Sequence, residues 1–364
     1  MRSPSRRLRT AILACLIGLW TVVGNALAHV KYVTDGDGDP LDALVFVIDV
    51  VSRPLNALLI GATVLGLGVA VGLYLHIRPT VRDLTVLADQ LDDYADLVPW
   101  MLRLSVGLPL VGAGFGGYLF ANTIEFQPVA DPLLRVALVG VGFFLLFGLA
   151  TRIVAAIGLA MYLATLVWNP DAILAVEYAP GFLALIILGG GRPSADDILQ
   201  EVASTTGTLY GRVDPVHHLK AWLDAKTAPY VRLVPLVLRV GLGIAFVYLG
   251  VTQKLANPGR ALLVVEKYQL TQVVPVDPGL WVLGAGLVEM GVGIALILGF
   301  FTRASAATAF LMLTLTLFGL SDDPVLAHVT LFGMTSALFT LGSGPFAIDR
   351  WLARDRSDAN VPRD

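Results

Sequence analysis

Residues 287–303 read LVEMGVGIALILGFFTR, an apolar run that carries Glu289 near its start and closes on Thr302-Arg303. A helix rises ~1.5 Å per residue, so one beginning near Leu280 puts Glu289 ~14 Å from its entry, close to the middle of a hydrocarbon core ~30 Å thick. An ionised side chain at that depth costs about 2.5–3.5 kcal/mol on insertion scales. The stretch therefore predicts a spanning helix together with neighbours that shelter its glutamate, supply a cation or keep it protonated.

The rest of the chain fits a membrane solvent. Its 364 residues are 56% hydrophobic and 15% charged, with a mean hydropathy of +0.76. Soluble domains are far more charged. The apolar residues gather into runs of about 17 to 25, the length of a spanning helix. Strands of a membrane barrel would instead alternate over short segments. The expected fold is all-α: a polytopic integral membrane protein with nine or ten transmembrane helices. A net charge of -3 argues against a nucleic-acid partner. The single cysteine, Cys15, provides neither an internal disulfide nor a dithiol pair.

At the amino terminus Arg6-Arg7-Leu8-Arg9 precedes an apolar run to Gly24, and Ala26-Leu27-Ala28 follows with a small-x-small pattern. Residues 1–28 are either a cleaved signal peptide or a first transmembrane helix. Residues 29–98 hold an exposed acidic loop, an interfacial helix divided at Arg53-Pro54 from a span over Leu55–Ile77, and an amphipathic helix in RPTVRDLTVLADQLDDYADLVPW. Further spans are expected near Trp100–Ala121, Leu133–Ala150, Arg152–Trp168 and Ala172–Gly189, then Val231–Val251, Leu280–Phe301, Ala304–Leu320 and Val325–Leu341. A linker over 194–228 separates the two groups, and a tail over 352–364 follows them. The positive-inside tendency places the basic amino-terminal segment, Arg152, the linker, Arg303 and the carboxy terminus on the cytoplasmic side of the cell membrane.

The two groups repeat each other. LRLSVGLPLVGAGFG from Leu102 matches LRVGLGIAFVYLGVT from Leu238 at an offset of 136 (238 − 102). LLFGLATRIVAAIGLAMYLATL from Leu145 matches LILGFFTRASAATAFLMLTLTL from Leu296 at an offset of 151 (296 − 145). About 15 extra residues therefore lie between the first two helices of the later group. This reads as two tandem four-helix bundles, 99–193 and 229–351, entering the membrane from the same side.

The later bundle resembles a DoxX-type membrane domain. LRVGLGIAFVYLGVTQKLANP resembles that family's first helix and following loop, and GLVEMGVGIALILGFFTR resembles its acidic second helix ending in Gly-x-x-Thr-Arg. The earlier bundle resembles the family in framework alone, with Tyr118 at the position of Lys254 and Leu138 at that of Glu289. The resemblance implies a four-helix membrane subunit linked to quinol or thiosulfate:quinone oxidoreduction, or to complexes handling thiol and oxidative stress.

Glu289, Arg239, Lys254 and His328 are the candidate site residues. Arg239 is expected near mid-depth and Lys254 near the outer end of the same helix, so either serves as the partner of Glu289. His328 completes an outer-half cluster. One reading is a structural ion pair. A second has Glu289 exchanging a proton while Arg239, Lys254 or His328 holds a quinone carbonyl, in an auxiliary subunit of a quinone-linked oxidoreductase with a redox partner protein. A third makes the cluster a stop on a solute or proton path, and a fourth makes the chain a scaffold. The expected surroundings are the lipid bilayer. Quinone is the cofactor expected, since the chain carries no evident cofactor motif of its own; an amino-terminal His29 left by cleavage lacks partner histidines for copper, haem lacks a pair of intramembrane histidines at matched depth, and His217-His218 lack ligand partners at metal-site spacing. Arg152 and Arg303 are expected to anchor turns at lipid headgroups. Glu177 is expected either to pair with Arg103 or to snorkel outward. Gly112 with Gly116, and Gly68 with Gly72, are expected to pack helices closely.

Overall fold

The computed structural model describes residues 40–77, 81–126, 131–213, 216–320 and 324–359. The signal or first-span reading of residues 1–28 lies outside them, as do the side chains of His217 and His218. Among the described residues the architecture is helical, apart from one small hairpin.

The chain enters through α1 (Pro40–Ser52) and α2 (Pro54–Ile77), which meet at Arg53-Pro54, because proline removes a donor and turns the helix there. Arg53 bonds Asp49 at 2.7 Å and Asp277 at 2.5 Å, tying this corner to the second bundle. The hydrogen bond to Asp49 and the charges of Asp277 and Asp49 raise the Arg53 pKa further above its ordinary value. Helix α2 is long and apolar enough to cross a membrane, and almost all of it is exposed. Among the described residues nothing lies within 4 Å of a Cβ built on Gly68 or Gly72, the glycines expected to pack. The amphipathic segment forms α3 (Arg82–Asp92).

A first quartet follows: α4 (Val98–Gly116), α5 (Pro132–Phe147), α6 (Thr151–Trp168) and α7 (Tyr178–Leu188). The span expected to run to Ala121 stops at Gly116, because Gly117 turns left-handed (φ 78) and a hairpin begins, β1 (Tyr118–Leu119) against β2 (Ala121–Glu125). The span expected from Ala172 starts with a 3-10 turn over Pro170–Ala175, leaving α7 only 11 residues. At ~1.5 Å per residue that is about half a membrane crossing. Short linker helices α8 (Ala195–Ser204), α9 (Leu209–Val213) and α10 (Val216–Thr227) come next.

The second quartet is α11 (Val234–Leu249), α14 (Pro278–Leu298), α15 (Thr302–Gly319) and α16 (Val325–Leu341). Helices α12 (Pro258–Lys267) and α13 (Leu270–Val273) occupy the extra residues between α11 and α14, and α17 (Ile348–Ala359) closes the described chain. Among the described residues five helices are long and apolar enough to cross a membrane, with shorter apolar ones beside them.

Packing within the quartets follows one plan. First and second helices meet where glycines remove the side-chain layer: a Cβ on Gly107 would lie 2.8 Å from the Gly142 oxygen, and one on Gly243 would lie 2.5 Å from the Gly293 oxygen. Each contact is reciprocal, with Gly142 facing the Gly107 oxygen at 2.7 Å and Gly293 facing the Gly243 oxygen at 2.7 Å. These pairs, and not Gly112 with Gly116, carry the small-residue packing. Gly112 accommodates Leu326, and Gly116 accommodates the ring of Tyr118.

The quartets also cross. Helix α16 packs chiefly on α4 of the other quartet, and α7 packs on α11 as well as on α4. Gly333 of α16 abuts Ser105 of α4, and Gly241 of α11 abuts Pro180 beside Gly181 in α7. Ser105 and Gly241 are equivalent by the offset of 136. A single core therefore runs through both quartets, from Leu102 and Leu110 to Leu242, Met334 and Leu338.

Candidate functional site

Polar groups in this bundle collect at one end and at a second site that runs from the far end of α11 to the middle of α14, and the two are built differently. At one end lies a junction that recurs in both quartets. After α5 and after α14 a left-handed glycine, Gly148 (φ 67) or Gly299 (φ 64), breaks the helix, and Ala150 (φ 49) or Phe301 (φ 48) turns the chain into the next one. That next helix opens with Thr151 or Thr302 and leaves orphan N–H groups. Asp196 accepts from the N–H groups of Ala150 (2.6 Å) and Thr151 (2.9 Å) and from Thr151 Oγ1 (3.0 Å). Asp349 accepts from Phe301 N (2.7 Å), Thr302 N (2.9 Å) and Thr302 Oγ1 (2.8 Å). A cap of this kind stabilises by about 1 kcal/mol.

The arginines of the Thr-Arg motifs close the opposite polarity. Arg152 donates to the oxygens of Ile186, Ile187 and Leu188 at the end of α7, and Arg303 donates to Phe339 and Thr340 at the end of α16. Cations at a helix carboxy terminus satisfy its free carbonyls and its dipole. Each also meets a protein carboxylate at 2.5 Å, Asp224 for Arg152 and Asp92 for Arg303. Both arginines, expected at the lipid headgroups, thus also make contacts within the chain.

Arg239 belongs to this junction. It sits near the start of α11, 1% exposed, and donates to the oxygens of Ile297, Leu296 (3.3 Å), Pro345 (3.1 Å) and Phe346 (2.8 Å). Arg103, its counterpart by the 136-residue offset, is equally buried and donates to Pro193 at 2.6 Å. Neither arginine is therefore the partner of a glutamate. The mid-depth estimate for Arg239 failed because the helix starts at Val234 after a 3-10 turn, leaving the arginine one turn from its end.

Glu289 finds its cation in Lys254. The glutamate occupies the centre of α14 and is 8% exposed. Lys254 projects from a π turn, Gly250–Leu255, that continues α11. The wider turn lies against α14, where Gly250 faces the Gly286 oxygen and Gly286 accommodates Leu255 and the Lys254 stem. Thr252 Oγ1 donates to Tyr248 O (2.8 Å), and Asn257 Nδ2 donates to Thr252 O (2.7 Å), so side chains hold the loosened backbone. Turns of this type recur at functional sites. The lysine side chain is 30% exposed and that of the glutamate 10%, which makes the pair half-sheltered. His328 lies in the first turn of α16, with Nδ1 3.3 Å from Pro324 O. That contact is a hydrogen bond in the tautomer protonated at Nδ1.

In the first quartet the equivalents differ. Leu138 is fully buried in the place of Glu289, and Tyr118 lies in β1 in the place of Lys254. Burial raises the Tyr118 pKa. Glu177 neither snorkels nor meets Arg103. It is 2% exposed, within Coulombic reach of Tyr162 and Tyr178, and its Oε2 has no hydrogen-bond partner among the described residues.

The junction carboxylates Asp196 and Asp349 escaped sequence reasoning because they are 153 residues apart, two out of step with the repeat. A signal was present in Pro193-Ser-Ala-Asp196 and Pro345-Phe-Ala-Ile-Asp349, where an aspartate follows Pro-x-Ala after a glycine-rich turn.

Residues 234–322 match the DoxX family model. The matched segment contains Arg239, Lys254, Glu289 and the Thr302-Arg303 junction, and it ends before His328. No curated protein and no solved structure matches the chain.

Proposed function

We propose that this multi-helix membrane protein, which carries a DoxX segment, is an auxiliary quinone-interacting subunit of a membrane redox system. The observation that supports the reading is the Lys254–Glu289 pair: a sheltered cation and carboxylate on a π turn, in the quartet that bears the DoxX segment. Such a pair offers what reduction of a quinone needs. The ammonium of Lys254 donates to a quinone carbonyl oxygen and stabilises charge as it develops there. Glu289, once protonated, delivers a proton to that oxygen. The full change, quinone to quinol, takes two electrons and two protons, with the electrons coming from a separate redox protein. Arg239 holds the loops around Gly299 and Pro345 and has a positioning role.

The test is purification of the full chain from native membranes in mild detergent, with mass spectrometry of its companions and extraction of quinone. The expected result is a stoichiometric redox partner or retained quinone, with quinone lost in Glu289→Gln and Lys254→Met while elution stays monodisperse. A chain that emerges alone and quinone-free, or variants that keep wild-type quinone, would overturn the reading. Liposome transport assays then decide whether the pair belongs to a proton or solute path.

A further inference from the structure

At the junction end, where α7 and α16 finish and α11 begins, a cavity of about 890 Å³ opens between the quartets. Leu188 from the first quartet and Val231 and Phe346 from the second form apolar wall, and Arg232, Arg350 and Trp351 stand at it. Both arginines are exposed, and neither has a hydrogen bond or ion pair among the described residues. The contrast with the other arginines of this end is sharp. Arg103, Arg152, Arg239 and Arg303 are all committed to backbone carbonyls, two of them also to carboxylates.

Among the described residues no carboxylate lines the cavity. Asp349, adjacent to Arg350 in sequence, is turned away to cap α15. Two guanidinium groups thus line a largely apolar hollow with no carboxylate partner among the described residues. Phe346 is 83% exposed and Trp351 is 61% exposed. Aromatic rings beside arginines at helix ends mark the headgroup layer of a bilayer, and basic pockets between membrane helices take anionic headgroups. The length of apolar wall distinguishes a lipid from a free phosphate, which would use the arginines and leave Leu188, Val231 and Phe346 uncovered.

We propose that this groove binds an anionic phospholipid, its phosphate held between Arg232 and Arg350 and an acyl chain laid along Leu188, Val231 and Phe346. Because the groove joins both quartets, a lipid there also bridges them.

The experiment uses the full chain in mild detergent, washed free of loose lipid, with native mass spectrometry after addition of phosphatidylglycerol or phosphatidylcholine. Wild type is expected to retain phosphatidylglycerol over phosphatidylcholine. Arg232→Ala with Arg350→Ala is expected to lower that retention on the order of tenfold, while Arg212→Ala, an exposed arginine of the linker, leaves it unchanged. Wild type is also expected to melt higher in vesicles containing phosphatidylglycerol than in pure phosphatidylcholine, a readout that needs no variant to fold. Equal retention of the two lipids, an undiminished signal in a monodisperse double variant, or identical melting in both vesicles would overturn the proposal. So would crosslinking of the chain's own residues 11–24 into the groove in place of lipid.

Discussion

The two quartets agree at one end of the molecule and part company at the other. At the junction end Gly148 and Gly299, Thr151 and Thr302, and Asp196 and Asp349 make the same contacts twice, while Arg152 and Arg303, and Arg103 and Arg239, share a role of donating to backbone carbonyls. At the other end the first quartet has a hairpin, a buried Leu138 and a 3-10 turn, whereas the second has a π turn, a Lys254–Glu289 pair and the extra helix α12. Features present twice are what four packed helices need. The ion pair is absent from the first quartet, which packs without it, so its retention in the second calls for a reason other than folding.

The strongest way to break this comparison is at the shared glycine contacts. Gly107→Val and Gly243→Val each drive a branched side chain into a backbone oxygen, at Gly142 or at Gly293. Overpacking of this kind costs about 1–3 kcal/mol or more. Both variants are expected to collapse folded yield, measured by size-exclusion of a fluorescent fusion. If only one does, the two quartets do not rely on the same interface.

Next in size is the ion pair. Lys254→Met leaves the Glu289 carboxylate without its cation in apolar surroundings, at a cost of about 2–3 kcal/mol. Adding Glu289→Leu recreates the apolar pattern of Leu138 and is expected to recover most of that loss, since a matched apolar pair often equals a buried salt bridge. The checking measurement is a double-mutant cycle on thermal melting. A double variant as unstable as Lys254→Met would show that the pair is structural and would remove the functional argument.

A smaller effect is expected at the caps. Asp196→Ala and Asp349→Ala each strip three hydrogen bonds from a helix start, and a lost cap costs about 0.5–2 kcal/mol. Matching drops in melting temperature would confirm equivalence. A drop confined to Asp349→Ala would mean that the first junction leans instead on Arg152 and its partner Asp224.

How much of this was legible follows from what each feature depends on. Apolar run length marked where the helices lie, and offsets of 136 and 151 marked Arg103 with Arg239 and Arg152 with Arg303 as counterparts. Lys254 was also foreseeable as a partner of Glu289, because the outer end of α11 lies beside the first half of its antiparallel neighbour α14 and a long lysine side chain spans the remaining depth to the glutamate. The role of Arg239 was not, since its depth turned on where α11 begins, and a preceding 3-10 turn leaves no apolar gap to mark it. The crossing of α16 onto α4 was equally hidden. Sequence repeats specify which helices are alike, and say nothing of which copy each one packs against.

The smallest expected effect sharpens the difference at the second end. Asp171 lies in the 3-10 turn that shortens α7, with its N–H bonded to Asn169 Oδ1 at 3.0 Å. Burial raises its pKa above the ordinary carboxylate value. The folded chain therefore holds the Asp171 proton more tightly than the unfolded chain does. Its stabilising contribution is present at low pH, below the unfolded value near 3.9, and is lost as pH rises through the folded one. Asp171→Asn keeps the turn's backbone bond geometry open to it and removes the charge. The variant is expected to melt with wild type at pH 3.5 and slightly above it at pH 7. The side chain is partly solvated, so the gap should be small. A gap of the opposite sign at pH 7 would mean that the ionised carboxylate has a partner to serve. A group to question is then Tyr248 of the other quartet, which lies within Coulombic reach of Asp171 and whose hydroxyl has no hydrogen-bond partner among the described residues.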